Sequence, residues 1–162
     1  MIAPWLDRFF RQRRVAVLAL PRAGRSPLAT PVWFEWDGSR FRVQVEAASA
    51  KARLFAGTDS VPVALTVQSE VAPYRYAVVH GRATLRRNDR PGLRLQLARR
   101  YFGRGAGDQY VAGESARGVD DAALRIIEIE PQRVVAHDFH PEAGVVGRLY
   151  FAVRRWFHPV PA

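Results

Sequence analysis

Cysteine is absent from all 162 residues. Disulfides, cysteine nucleophiles and thiolate-bound metals are therefore excluded. The absence suits a reducing compartment. Lysine is nearly absent as well: of 25 basic side chains, Lys51 is the single lysine and 24 are arginine. Asparagine occurs once and isoleucine four times, which together with the arginine excess reads as GC-rich coding. Long apolar runs are missing. The longest, residues 15–21, falls far short of the roughly 20 residues that span a bilayer. It also lacks the longer apolar region and small-residue cleavage site of a signal peptide. Pro21-Arg22-Ala23-Gly24-Arg25 follows it and reads as a turn. The expected location is the cytoplasm. Zinc-finger spacing, a basic zipper and an RNP-type aromatic run are also lacking, so nucleic acid is not an expected partner.

What is present points to a folded protein. Hydrophobic residues make up 48% of the chain, which excludes a disordered polymer. The length fits one domain, residues 1–162, with 141–162 as a C-terminal amphipathic extension. The net charge of +10 attracts anions of several kinds, from nucleic acid and anionic lipid to small molecules. Much of it is expected on solvated surface.

The apolar pattern predicts a short amphipathic helix over residues 4–14, with Leu6, Phe9 and Phe10 on one face. Strands are predicted over 14–20 and 28–36. Asp37-Gly38 is a hairpin signal. The return strand alternates, with Phe41, Val43 and Val45 on one side and Arg42, Gln44 and Glu46 on the other. A helix is predicted over 49–56 with Ser49 as N-cap. Strands follow over 62–67 and 73–86, where Gly81 suggests a bulge or a close backbone approach. A helix over 90–102, a loop over 103–107 and a last strand over 123–139 complete the pattern. Many strands with irregularly placed helices argue for a mainly β fold, a small barrel or sandwich, rather than a doubly wound α/β sheet.

Four segments in order resemble a known family. They are Thr30-Pro31-Val32-Trp33-Phe34 leading to Asp37-Gly38, then Ser49-Ala50-Lys51-Ala52-Arg53, then Val63-Ala64-Leu65-Thr66-Val67, then Val78-Val79-His80-Gly81-Arg82. Together they resemble the pyridoxamine 5'-phosphate oxidase-like proteins and their relatives, the flavin- and deazaflavin-dependent reductases. The resemblance covers roughly residues 8–140. It implies a six- or seven-stranded split β-barrel, a homodimer, and an FMN or deazaflavin coenzyme at the subunit interface. It implies hydride transfer to or from a small-molecule substrate. By the same resemblance Ser49 and Lys51 contact the cofactor phosphate with Arg53 accessory, and Thr30, Pro31, Val32 and Trp33 run beside the ring. Ser49 at a helix start and the mobile charge of Lys51 suit an anion.

The chain also departs from the family pattern. Ala29-Thr30-Pro31 and Ala48 stand where the oxidases carry arginines, and Tyr76 stands in place of a glutamine. The Thr-Pro-Val-Trp-Phe form is closer to the deazaflavin branch. Other members of that branch bind FMN, haem or bilins, so a non-catalytic cofactor carrier or sensor on the same barrel is the alternative. No catalytic side chain is assigned.

Other candidates carry less. Trp33 cannot share a strand face with both Phe34 and Trp36, and core packing is expected for at least one of them. Tyr74 and Tyr76 share a face and either flank a substrate or pack at an edge. His137 and His140 do not make a metal site, since no third ligand is near them in sequence. Gly103, Gly105 and Gly107 miss the dinucleotide spacing. No serine-centred elbow is present. The basic, aromatic tail, residues 145–157, has the pattern of an amphipathic helix, for packing on a partner subunit or, less readily, for an anionic membrane surface.

Overall fold

A computed structural model describes residues 2–72 and 74–139. His140 and the tail at 145–157 lie outside the described residues. The order is α1 (Pro4–Arg11), β1 (Ala16–Leu20), β2 (Leu28–Val32), β3 (Glu35–Trp36), β4 (Phe41–Glu46), α2 (Ala50–Arg53), β5 (Val61–Gln68), β6 (Arg75–Arg87), α3 (Leu93–Phe102), α4 (Arg104–Ala116) and β7 (Leu124–Asp138).

All seven strands join one antiparallel sheet in the order β2-β1-β5-β6-β7-β4-β3. The two edge strands, β2 and β3, are consecutive in sequence, with Trp33 and Phe34 alone between them. So short a link spans at most about 10 Å. The sheet must therefore curl until its edges nearly meet, which makes a barrel split along one seam.

The single strand predicted over 28–36 is thus two strands on opposite edges. Phe34, in the link, has no ladder partner for its backbone N–H. The Tyr101 hydroxyl of α3 accepts that N–H at 3.2 Å and donates to the Arg14 carbonyl at 2.7 Å. One side chain thereby satisfies two groups at the seam, each of which is costly to leave unpaired when buried.

Strand alternation fills the barrel. Leu18, Leu65, Val79, Ile127, Ile129, Val43 and Phe41 point inward and are buried. Helix α1 adds Leu6, Phe9 and Phe10 to the same core. The Phe10 ring meets Phe41 edge-on at 4.9 Å and Trp36 at 5.4 Å. Asp7 on α1 accepts from the Trp36 indole N–H at 2.8 Å, which satisfies that buried donor.

Two wings of the outer surface differ. Over β4 and β7, α3 covers Ile126 with Leu93 and Leu97. Helix α4 folds back on α3, since Arg94 of α3 reaches Ser115 Oγ at 3.0 Å and the Val119 carbonyl. Residues 103–107, expected as a loop, instead open α4. Glycine lowers helix propensity, but here a tertiary contact wins. Gly107 lies so close to α3 that a Cβ would sit 2.7 Å from the Ala98 carbonyl carbon. The other wing, β2-β1-β5-β6, has no helix among the described residues. Its outward row runs Pro31, Val17, Thr66, Val78 and, on β7, Val135. A solvated face of an antiparallel sheet is normally polar. This row is largely apolar, with Val17 40% and Val135 39% exposed, and outward-facing polar residues such as His80 and Arg133 flank it.

Arginine is partly committed to internal ion pairs. Glu35, 8% exposed, accepts from Arg90 at 3.1 Å, Gln96 at 3.2 Å and Arg42 at 3.3 Å. Glu128 accepts from Arg40, Arg42 and Arg86.

In the β3–β4 hairpin, burial alone would raise the Asp37 carboxyl. Backbone N–H groups of Arg40 and Ser39, the Ser39 hydroxyl and the Arg42 charge outweigh it and hold it well below the usual range. A depressed carboxyl stabilises above its unfolded pKa of about 3.9, and that stabilisation disappears as pH falls through the folded value. Urea midpoints of the wild type and Asp37→Asn are therefore expected to differ by a constant amount above about pH 5 and to converge below about pH 4. A difference unchanged down to pH 2 would refute the assignment.

Candidate functional site

A cleft of about 320 Å³ opens on the outer surface where the split seam meets the helical wing. The volume lies at the small end of the range of about 300–1,000 Å³ typical of ligand sites. The end of β2 supplies Pro31 and Val32, and the link to β3 supplies Trp33. Strand β4 supplies Gln44 and Glu46, and α2 supplies Lys51. The helical hairpin adds Arg94, Tyr110 and Glu114.

Each residue reaches the cleft for a local reason. Alternation along β4 turns Gln44 and Glu46 outward while Val43 and Val45 fill the barrel. Ser49 caps α2, its hydroxyl accepting the Ala52 N–H at 3.2 Å, and the helix start fixed in this way sets Lys51 toward the cleft. Trp33 points outward because Phe34 and Trp36 point in. Its ring stacks on Tyr101 at 5.1 Å with 9° between planes, and it meets the rings of Phe102 at 4.9 Å and Tyr110 at 5.5 Å. That aromatic group couples the seam to both helices.

The electrostatics are mixed. Lys51 makes no ion pair among the described residues. Burial, then the Glu114 carboxylate one turn along α4, raise the Tyr110 phenol above its ordinary range, and Glu46 adds to the effect. Gln44 Nε2 is buried with no hydrogen-bond partner, which leaves an unused donor at the cleft wall.

Of the residues suggested by the sequence, Pro31, Val32, Trp33 and Lys51 come together here. Ser49 stands beside them as the cap of α2. Arg53 is exposed and donates to the Ala48 carbonyl at 3.0 Å. Thr30 pairs with Leu18 on β1, shares the inner side with Val32, and leaves its Oγ1 buried and unpartnered. Tyr76 lies on the bare wing of β6, stacked on His137 at 6.2 Å, and does not line the cleft. Tyr74 is 57% exposed just before β6, and His80 is exposed opposite Ala64. Sequence reasoning missed Tyr110 and Glu114 because α4 was not expected, and it did not single out Arg94 within the helix it expected over 90–102. It recorded Gln44 and Glu46 only as the outward half of an alternating strand.

No family model matches the chain, and no curated protein does. Solved structures do. An F420 reductase is similar at 24% identity over 80% of this chain and 94% of its own, with a TM-score of 0.61. A putative pyridoxamine 5'-phosphate oxidase from Listeria innocua is similar at 14% identity over 82% and 94%, TM-score 0.58. An FAD and haem binding protein from Mycobacterium smegmatis is similar at 19% identity over 85% and 71%, TM-score 0.56. The strand order, the seam and these likenesses agree on one architecture: the chain has the split β-barrel fold of these proteins.

Proposed function

We propose that this protein is an oxidoreductase that binds FMN or the deazaflavin coenzyme F420 in the cleft and acts as a homodimer. One observation carries the reading. Lys51 and the Pro31-Val32-Trp33 segment, 18 or more residues apart in sequence, meet at one cleft, and its lining residues Val15 and Pro31 border the wing that no described helix covers. Such a wing on a soluble protein suits an isologous contact with a second copy. A partner packed there would border the cleft and exclude water from it. The F420 reductase and the FAD-binding neighbours lend the cofactor class.

The residues present fit such a cofactor. Lys51, with no ion pair among the described residues, offers a cation for a phosphate, and the Ser49 hydroxyl, though it accepts from Ala52, keeps its own proton to donate. Gln44 Nε2 is a free donor for a ring oxygen or nitrogen. Val32 and Trp33 give an apolar wall that keeps solvent from a reactive ring. When bound, the cofactor supplies hydride chemistry, and the protein supplies orientation, electrostatics and water exclusion. The substrate in this reading is a small molecule.

Titration of the purified protein with FMN, F420 and haem, followed by absorbance, tests the reading. Low-micromolar or tighter binding of FMN or F420, with a sedimenting mass twice 18.2 kDa, is expected. No binding of any of the three at micromolar concentration would sink it. Tight binding without electron transfer to any acceptor would leave a carrier or sensor on the same barrel.

A further inference from the structure

The chain carries ten more bases than acids, yet its cleft holds two carboxylates with no cationic partner. Glu46 and Glu114 form no ion pair among the described residues. Arginine is abundant and pairs readily elsewhere, as at Glu35 and Glu128. The arginine that does line the cleft is already committed: Arg94 donates to the Val119 carbonyl and Ser115 Oγ and lies 3.8 Å from Asp121. The two acids come from separate elements, β4 and α4, and line the same cleft as Tyr110, whose phenol feels both carboxylates and the opposing Arg117 charge. Tyr110 lines the cleft beside Glu114, and its phenol oxygen has lone pairs to offer a donor there. This side of the cleft thus carries two carboxylates and a phenol oxygen, with the Gln44 Nε2 donor beside Glu46, and next to them stand the rings of Trp33 and Tyr110, 5.5 Å apart and tilted by 59°.

We infer that the cleft selects a planar substrate bearing a cationic or multiply N–H-donating nitrogen group, which Glu46 and Glu114 receive while the ring lies along the Trp33–Tyr110 wall. The inference deepens the proposed function and rests on its reading of this cleft as the ligand site. Acceptors and aromatic faces favour the same ligand, because a cation is attracted by carboxylates and by a ring quadrupole alike. An anionic or purely apolar ring would leave both acids facing it unpaired, and mismatched polar groups are where such sites discriminate most strongly. Lys51 remains for an anion at the α2 side, so the cleft is dipolar rather than uniformly basic.

Benzamidinium and benzoate test this directly, since they share a ring and a planar end group and differ in charge. Their affinities are measured by Trp fluorescence on the full chain without cofactor, at about 0.15 M salt to screen the long-range field. The net charge of +10 works against the cation, so a preference for benzamidinium has to arise locally. At least tenfold tighter binding of benzamidinium is expected. It should shrink to within about threefold in Glu46→Gln/Glu114→Gln and persist in Glu130→Gln, an exposed acid on β7. Equal or tighter binding of benzoate to the wild type, no binding of either probe at 10 mM, or a preference that survives the double substitution would overturn it. The cofactor titration is read separately. Benzamidinium preference with no FMN or F420 binding sinks the cofactor reading alone, and tight cofactor binding with benzoate preferred sinks this one alone.

Discussion

Gly81→Ala is expected to lower stability by about 3 kcal/mol or more, a drop of roughly 10 °C in Tm for a chain of this size. The reason is backbone, not side chain. Gly81 pairs with Pro131 at the register shift of the long β6–β7 ladder. A Cβ there would overlap the Glu130 carbonyl oxygen, 3.1 Å from its carbon and 3.3 Å from Pro131 Cα. Backbone cannot swing aside as a flexible side chain does, so one strand must leave the ladder. The shift has its own cause. His80 pairs with Arg133 and Gly81 with Pro131, which leaves Gln132 as the extra residue of a bulge. Proline lacks the N–H a regular ladder needs, and a bulge is where a strand tolerates it. Gly105→Ala is the control. It lies in α4 with open space around its Cβ position and without a positive φ, so alanine there is expected to be neutral or to add up to about 1 kcal/mol. Thermal unfolding of both variants decides the matter. A Gly81→Ala protein within 2 °C of wild type would show that the close approach is not maintained in solution.

The role of Gly81 was legible in the sequence, because a glycine among branched strand residues gives up packing and marks a place where two backbones need room. So were the alternating strands and the Ser49 cap; of Trp33, Phe34 and Trp36, only their division between two faces was legible, with core packing expected for at least one. The seam was not. Residues 28–36 carry one continuous β pattern, and only the full sheet order shows that Trp33 and Phe34 cross from one edge to the other. Helix α4 was hidden for a different reason. Gly103, Gly105 and Gly107 weaken the helix locally, and the packing that favours it, Gly107 against Ala98 and Arg99, is a contact between elements. One wall of the cleft was lost with it, since Tyr110 and Glu114 sit on α4. The bare apolar wing was also illegible, because Val17, Thr66, Val78 and Val135 become one row only through three strand registers.

Replacing Lys51 by methionine is expected to weaken FMN or F420 binding by about 10- to 100-fold. Methionine keeps much of the length and apolar stem of lysine and removes the charge, so packing at the cleft wall changes little. A hydrogen bond to a charged group contributes about 1.5–3 kcal/mol, and each 1.4 kcal/mol is tenfold in affinity. The size of the effect depends on Lys51 being local and uncommitted: it lines the cleft and makes no ion pair among the described residues. Arg53→Ala removes the same formal charge two residues away. It is expected to change affinity less than threefold, because Arg53 is exposed and turned to the Ala48 carbonyl. Comparing the two separates a phosphate ligand from the general field of a +10 protein. If the field alone draws the cofactor, both variants weaken equally and the loss disappears above about 0.5 M salt, where exposed charges are screened within a few ångströms. If Lys51 is the ligand, its variant alone loses affinity, and part of that loss persists at high salt because the pair sits in a cleft. Equal losses in the two variants would remove the phosphate from Lys51, and with it the reason this chain keeps one lysine among 24 arginines.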